Sequence, residues 1–325
     1  MAVAPERRLH HILQQLRPCR AAGSAPGLLS QSPADVDIVD VSGWVDQEAS
    51  GEAADDDSRA LAVTSMSRSL HRSGLCLVVG HGVSAALQER VYAAALHFFH
   101  QPRDVKERFA SRQKGTPGWM AAGQQRLGQT LSRKTLPADM NEFLIFSTAF
   151  EGHPDARGLG DSVAVVPTVP ADLPALFDEY TAAMKQLNLA LMRLTATALG
   201  ESEQFFEPFF EPGQYTLQMR YYEATPPGFA PAPGQMRIGA HADSNGFTIV
   251  RLDGKPGLQV RLQDNDSAER RWVDVNVSGS GTAITECLVV NTGRMVERWT
   301  GGYFKAAVHR VLASPPDNDY GCVWI

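Results

Sequence analysis

The sequence predicts an α+β protein with a double-stranded β-helix (jelly-roll) core in its second half and an N-terminal helical support region before it. Two observations lead to this fold class. Apolar residues recur at helical spacing before residue 200, most extensively over residues 173–199. After residue 213 the chain consists of short apolar segments separated by Gly, Asn, Asp and Pro, at the spacing of an antiparallel sandwich or barrel.

The first half of the chain is predicted to connect helices with a few strands. Gly74 ends one helix, Ser84 is a suitable N-cap for the next, and Pro102 follows the end of that second helix near His100. The predicted strands span residues 35–42, 75–80 and 140–146, the helices span 58–73, 84–100 and 173–199, a short helix or turn spans 103–112, and loops span 43–57, 115–134 and 151–170.

The second half is predicted to contain strands only. They span residues 214–222, 238–240, 247–250, 258–261, 272–275, 287–291, 305–312 and 321–325. We therefore divide the chain into a basic N-terminal extension (1–34), a mostly helical region (35–212) and a jelly-roll core (213–325). The last two are expected to form one structural unit.

The composition of the chain limits which partners and which cellular location are to be expected. The 325 residues have a formal net charge of −6, which argues against nucleic acid or an anionic membrane as the main partner. No apolar run reaches the roughly 18 residues that a membrane helix needs. Four cysteines without Cys-x-x-Cys spacing favour reduced thiols and a cytoplasmic location. The arginines and serines before Pro33 fit either an organelle-targeting segment or a basic, loosely helical extension, and we prefer the extension.

The chemistry is predicted to centre on His241 and Asp243, at the end of a short apolar segment. Alternate side chains of a strand share a face, so the imidazole and the carboxylate would converge. His309 lies in a second strand-like segment further on. Two histidines and one carboxylate on one face leave open coordination positions, which is typical of non-haem Fe(II) oxygenases. The alternative is a surface turn in which Asp243 begins an Asx-type cap and His241 is merely exposed.

Several segments together resemble the isopenicillin N synthase-like branch of the Fe(II)/2-oxoglutarate-dependent dioxygenases. The similarity includes His241-Ala-Asp243 and His309-Arg-Val311, and its order and spacing extend over most of the chain from Val36 onward. The matching segments span residues 75–83, 98–99, 102–109, 219–222, 241–243, 257–260, 272–275, 290–293, 297–302 and 309–311.

The resemblance implies which cofactors the protein uses and which roles individual residues have. His241, Asp243 and His309 would be the iron ligands, and Tyr222 would help to orient the bound oxoacid. Fe(II), 2-oxoglutarate and O2 would together oxidise a small-molecule substrate by hydroxylation, desaturation or ring formation. Asn291 would begin a turn that supports the second sheet.

One departure from the family pattern concerns the far carboxylate of 2-oxoglutarate. The family holds it with an Arg-x-Ser pair, whereas the corresponding positions here are Tyr320 and Cys322. A tyrosine donates one hydrogen bond but supplies no cation and no bidentate fork. Arg220 is the first candidate to replace the missing cation, because it alternates with Tyr222 on one predicted strand.

Other arginines are weaker candidates for this role. Arg237 and Arg251 flank the predicted His241 strand, and Arg310 should point away from the metal by strand alternation. The departure leaves two alternatives to a 2-oxoglutarate enzyme. One is an Fe(II)/O2 oxidase that uses no 2-oxoglutarate, as isopenicillin N synthase does, and the other is a catalytically silent jelly-roll binding protein.

Overall fold

The structure, a computed structural model, describes residues 36–45, 56–111, 117–147, 167–209, 215–224, 228–263, 270–276, 282–313 and 322–324. The predicted N-terminal extension lies outside these residues. The helices are α1 (Asp56–Arg72), α2 (Ala85–Phe99), α3 (Arg103–Glu107), α4 (Leu173–Ala198) and α5 (Arg294–Trp299).

Twelve described strands form three four-stranded sheets, and only the β1–β2 pair is parallel. The sheet orders are β1-β2-β10-β7, β6-β11-β8-β9 and β12-β5-β4-β3. The strands are β1 (Ile38–Asp40), β2 (Leu75–Val79), β3 (Gly118–Met120), β4 (Glu142–Ser147), β5 (Thr216–Tyr222), β6 (Ile238–His241), β7 (Phe247–Arg251), β8 (Leu258–Gln263), β9 (Arg270–Asp274), β10 (Leu288–Thr292), β11 (His309–Val311) and β12 (Cys322–Trp324).

Local signals explain where the early helices begin and end. The Ser84 side chain accepts a hydrogen bond from the Leu87 amide (3.4 Å) and so caps α2. Gly74, which follows α1, has a φ of 74°, and a Cβ there would lie 2.7 Å from the Ala307 nitrogen. Glycine is needed at this position because the backbone leading to β11 passes against it.

Two hydrophobic cores lie on the two faces of β2. Cys76 and Val78 pack with residues of α1, α2 and α4, whereas Leu75 and Leu77 pack with the inner residues of β6, β8 and β11. Strand β2 is therefore covered on both faces, which accounts for its uninterrupted apolar sequence. The helices cover the outside of the β2–β10 layer, and the jelly-roll interior lies beneath it.

Three sequence-based expectations about elements were wrong. Strand β3 lies inside the segment predicted to be a loop (115–134), and helix α5 interrupts the half predicted to contain strands only. Helix α1 begins at Asp56, within the predicted 43–57 loop. The region predicted to be mostly helical also supplies four strands, β1 to β4, to two of the sheets.

Candidate metal centre

The three predicted ligands converge at one end of the β6–β11 pair. His241 ends β6, Asp243 follows two residues later, and His309 begins β11 directly opposite His241 in the ladder. One ligand atom from each residue can be chosen so that all three lie within 4.8 Å of one another. The two imidazole rings are 4.3 Å apart, centroid to centroid, and tilted by 54°. This spacing suits three ligands on one face of a metal ion.

Backbone carbonyls fix the tautomer of both histidines. The Nδ1 atom of His241 lies 2.9 Å from the Gly239 oxygen, and that of His309 lies 3.1 Å from the Ala307 oxygen. A carbonyl can only accept, so each Nδ1 carries the proton and donates it. Each Nε2 lone pair therefore remains available for a metal.

Two neighbouring side chains orient the carboxylate of Asp243. The Thr248 hydroxyl (2.6 Å) and the Asn291 amide (2.9 Å) both donate hydrogen bonds to its Oδ2. The other oxygen, Oδ1, lies 3.5 Å from His241 Nε2. The carboxylate thus presents Oδ1 to the site and uses Oδ2 to hold its orientation. Asn291 was expected to support a turn, and its hydrogen bond to Asp243 is an additional contact.

The site favours an ionised Asp243 and a neutral His309. Burial opposes ionisation of Asp243, but its interactions with the neighbouring His241 and His309 and the hydrogen bond from the Thr248 hydroxyl outweigh it and hold the pKa of Asp243 well below its usual range. Burial, reinforced by repulsion from His241, lowers the pKa of His309 to about 4. Both shifts favour the protonation states in which these groups bind metal.

Arg220 and Tyr222 lie on the same side of β5, as predicted. Tyr222 is fully buried, and its ring packs in the jelly-roll interior. Two hydrogen bonds join Arg220 Nη1 to the Asn141 Oδ1 (2.9 Å) and the Gln125 Oε1 (3.2 Å), and a third joins its Nη2 to the Gln218 Oε1 (2.8 Å).

The charge of Arg220 acts on the metal ligands. Burial lowers its pKa, while the charges of Tyr222, Asp243 and Asp139 oppose that shift. Its own positive charge in turn helps to lower the pKa of His309. These three hydrogen bonds of the guanidinium go to neutral amide oxygens, so Arg220 remains a source of positive charge beside the site.

A segment spanning residues 121–140, here named the 121–140 segment, lies directly on the strand that holds His241. Asp139 fastens it: Oδ2 accepts a hydrogen bond from Leu127 (2.7 Å) and Oδ1 accepts one from Gly239 on β6 (2.9 Å). A Cβ on Gly239 would lie 2.8 Å from the Cα of Gly128. Two glycines therefore allow segment and strand to approach closely.

The remaining predicted residues occupy different places. Cys322 pairs with Tyr222 in the β12–β5 ladder, and Tyr320 lies outside the described residues. Arg237 is buried, with its guanidinium 5.4 Å from the centre of the Tyr222 ring.

Two other arginines are turned away from the metal site. Arg251 is excluded as a candidate there, because it packs on Tyr92 and forms an ion pair with Glu89 on α2. Arg310 points away from the site as predicted: it lies over Trp272 and donates a hydrogen bond to Gln259.

Comparison with known proteins places the chain in a family. The family model described as "2OG-Fe(II) oxygenase superfamily" matches residues 213–319, and that described as "non-haem dioxygenase in morphine synthesis N-terminal" matches residues 36–164. Validamycin A dioxygenase of Streptomyces hygroscopicus subsp. limoneus is 30% identical over 286 residues, which cover 86% of this chain and 72% of that protein. The chain belongs to the 2OG-Fe(II) oxygenase superfamily.

Other relatives of this 2OG-Fe(II) oxygenase support the same family assignment. The 2-oxoglutarate-dependent dioxygenase citB of Monascus ruber is 29% identical, over 78% of this chain and 74% of that protein. A Neurospora crassa protein solved with alpha-KG and thymine has a TM-score of 0.68 and 21% identity to this chain. The alignment covers 89% of this chain and 85% of that protein's chain. The structural similarity confirms the predicted jelly-roll fold. The relatives confirm the predicted class, a Fe(II)/2-oxoglutarate-dependent dioxygenase.

Two parts of this oxygenase's site were not predicted from sequence. Thr248 on β7 and Asn291 on β10 lie five and 48 residues after Asp243, and no sequence motif indicated that they would contact it. Asp139 and Gln125 belong to a segment whose Gly and Gln content indicated only a loop. Among the described residues, no helix is long and apolar enough to cross a membrane.

Proposed function

We propose that His241, Asp243 and His309 bind Fe(II), and that this dioxygenase uses 2-oxoglutarate and O2 to oxidise a small-molecule substrate. The observation that supports the ligand assignment best is the convergence of the three side chains with both histidines held as Nδ1–H tautomers. Three protein ligands on one face leave positions for a chelating oxoacid and for oxygen.

The donor set fits iron in chemistry as well as in number. Two neutral imidazoles and one carboxylate suit Fe(II), and the second oxygen of Asp243 is already occupied by Thr248 and Asn291. Bound iron and 2-oxoglutarate supply the oxidising power for the reaction. The protein residues hold the ligands in the required tautomer and charge state, and the 121–140 segment covers the strand from which His241 projects.

We place one carboxylate of 2-oxoglutarate beside Arg220 and Tyr222. Arg220 offers a guanidinium whose present hydrogen-bond acceptors are neutral amides, which an incoming carboxylate can outcompete because charge-assisted hydrogen bonds are stronger. Cys322 pairs with Tyr222 across the ladder, and Tyr320, two residues earlier in the sequence, lies outside the described residues. This group of four residues is our proposed co-substrate site.

The substrate is proposed to be a small molecule, by analogy with the relatives. Validamycin A appears in the name of one relative, and thymine is bound to one structural neighbour. The formal net charge of −6 does not favour nucleic acid or an anionic membrane as a partner. A cytoplasmic location stays a prediction, supported by the buried free thiols of Cys76 and Cys287.

The first test adds Fe(II) to the metal-free protein without oxygen and then titrates 2-oxoglutarate while the visible spectrum and the binding heat are recorded. We expect a saturable metal-to-ligand charge-transfer band. Replacing Asp243 with Ala should abolish both the band and tight iron binding. Iron binding by this variant at the wild-type affinity would refute the ligand assignment, and binding of iron without a band would refute chelation of 2-oxoglutarate.

The second test addresses Arg220. The Arg220→Ala variant should bind 2-oxoglutarate about 10- to 100-fold more weakly, because a hydrogen bond to a charged group contributes about 1.5–3 kcal/mol. Arg220→Lys keeps the charge without the fork and should fall between the two. Arg310→Ala, which removes an arginine from the outer face of β11, is the matched control. Equal affinity in wild type and Arg220→Ala would remove Arg220 from the co-substrate site.

A further inference from the structure

The carboxylate of Asp139 is buried in the 121–140 segment, between the metal strand and Arg220. Asp139 is 4% exposed and is the one acidic residue in the sequence of that segment. Its Oδ1 accepts a hydrogen bond from the Gly239 amide (2.9 Å), and its Oδ2 accepts one from the Leu127 amide (2.7 Å). Two backbone amides from separate parts of the chain are thus held by a single buried side chain.

Gly239 connects Asp139 to a metal ligand. Its amide donates to Asp139, while its carbonyl accepts the Nδ1 hydrogen of His241 (2.9 Å). The Met140 amide, next to Asp139 in the chain, also donates to the Met236 carbonyl at the start of the metal strand (3.0 Å). Since the His241 ring is aimed by the Gly239 carbonyl, the position in which Asp139 holds Gly239 affects the orientation of the ligand.

Asp139 also acts on Arg220. The Asp139 amide donates a hydrogen bond to the Gln125 carbonyl (2.9 Å), and the Gln125 side-chain oxygen accepts one from Arg220 Nη1 (3.2 Å). Burial lowers the pKa of Arg220, and the negative charge of Asp139, like those of Tyr222 and Asp243, opposes this shift. An anion that approaches Arg220 is therefore attracted by the guanidinium and repelled by Asp139.

We propose that Asp139 is a positioning residue with two separate effects on this dioxygenase. Through Gly239 it orients His241 and strengthens metal binding, and through its negative charge it lowers the affinity of Arg220 for the anionic co-substrate. The inference rests on the proposed function, in which His241 binds the metal and Arg220 binds 2-oxoglutarate. A side chain that only stabilised the fold would, when replaced, weaken both kinds of binding.

The metal test compares Mn(II) binding to the metal-free full chain by calorimetry. Asp139→Asn keeps the size of the side chain but leaves one acceptor oxygen, so one of the two backbone amides loses its partner. We expect the dissociation constant to rise about threefold, less than the roughly tenfold change for a direct partner of a ligand. Asp104→Asn makes the same charge change at an exposed position of α3 and should bind Mn(II) as the wild type does. Equal affinity in Asp139→Asn and wild type would overturn the metal effect.

The co-substrate test titrates 2-oxoglutarate without oxygen at saturating Mn(II). Asp139→Asn should bind it about three- to fivefold more tightly than the wild type, because one repelling charge is gone. Asp139→Glu keeps the charge but displaces the carboxylate by one methylene, so it should weaken Mn(II) binding without tightening 2-oxoglutarate binding. If Arg220→Ala binds 2-oxoglutarate as the wild type does, the proposed co-substrate site fails. If Arg220→Ala weakens binding and Asp139→Asn does not strengthen it, the inference about Asp139 fails alone.

A measurement on the wild type tests the link even where an Asp139 variant fails to fold. The Leu127 amide shares the Asp139 carboxylate with Gly239 but lies outside the metal strand. Mn(II) binding should therefore slow hydrogen exchange in a peptide that contains Leu127 by about twofold or more, measured by mass spectrometry. A peptide from α4, which has no part in the link, should exchange at the same rate with and without Mn(II). Unchanged exchange at Leu127 would overturn the link through Asp139.

Discussion

At the scale of single residues, the site depends on side chains that hold the ligands as much as on the ligands themselves. Asp243 is aimed by Thr248 and Asn291, and each histidine is aimed by a carbonyl two residues before it in the chain. The histidine contacts are local and follow from the strand itself. The contact of Asp243 with Thr248 spans five residues, whereas the contact with Asn291 comes from β10 and depends on the assembled fold.

The Thr248 hydroxyl provides the first prediction at this scale. Thr248→Val keeps the shape of the side chain but removes the donor to Asp243, so the carboxylate should lose part of its fixed orientation. We expect the dissociation constant for Fe(II) or Mn(II) to rise about tenfold, the lower end of the effect of losing an outer hydrogen bond to a metal ligand. Calorimetry of the metal-free protein measures this change.

Thr248→Ser is the matched control, because it retains the hydroxyl and removes only a methyl group. It should bind metal within about twofold of the wild type, since the hydrogen bond survives. If the Ser and Val variants weaken metal binding equally, packing of the methyl group and not the hydrogen bond positions Asp243.

At the scale of elements, the 121–140 segment joins the metal strand to the proposed co-substrate site. Asp139 fastens it to β6, and Gln125 reaches from it to Arg220. The contact surface between the segment and β6 is formed by Gly128 against Gly239, with no side chain between the two backbones. Displacing the segment should therefore disturb Arg220 and the metal strand together.

Gly239→Ala tests this contact. The new methyl group would lie 2.8 Å from backbone atoms of Gly128, and backbone cannot move aside as a flexible side chain can. Overpacking of this kind destabilises by about 1–3 kcal/mol. We expect a lower free energy of unfolding, and faster amide hydrogen exchange over residues 121–140, measured by mass spectrometry.

Gly123→Ala serves as a comparison in the same segment. Its φ is 85°, so alanine is strained there, but a Cβ would meet nothing within 4 Å. It should lower stability by about 1 kcal/mol through backbone strain alone, without faster exchange at the β6 contact. If the two variants behave alike, the close approach of segment and strand does not hold the segment in place.

Elements also show what could be predicted from sequence and what could not. Helix α4 and strand β2 were predicted to within a residue or two, because long periodic or uninterrupted apolar patterns are strong local signals. Strand β3 is three residues long within Gly-rich sequence, and α5 has six residues without a side-chain cap, so neither gives a clear pattern. Tertiary contacts, not propensity, form both elements.

At the scale of the whole molecule, the way in which the fold brings separate segments together explains why the metal ligands could be predicted and the residues around them could not. His241 and Asp243 are two residues apart in sequence, and His309 has a strand pattern of its own. Gln125 and Asn141 lie 95 and 79 residues before Arg220, and Asn141 meets it because β4 pairs with β5. Local spacing contains no information about such a meeting.

Burial of the site also predicts how the stability of the metal-free protein depends on pH. The pKa of His309 is lowered to about 4, whereas an unfolded histidine has a pKa of about 6.5. Between these values the unfolded chain binds a proton that the folded protein rejects. The stability that depends on a neutral His309 is therefore complete above about pH 6.5 and is lost as the pH falls towards 4.

We expect the metal-free protein to lose roughly 2 kcal/mol of unfolding free energy through His309 as the pH falls from 6.5 to 4. This loss is smaller than that expected of a fully buried histidine, because the ring is partly exposed. Urea unfolding at several pH values measures the loss, and His309→Asn isolates it, since asparagine does not titrate. The difference in stability between wild type and His309→Asn should shrink as the pH falls from 6.5 to 4. Parallel profiles for the two proteins would mean that the folded site does not keep His309 neutral. Bound metal should steepen the wild-type profile, because the metal binds only the neutral imidazoles and its stabilising effect is lost as protons compete for Nε2.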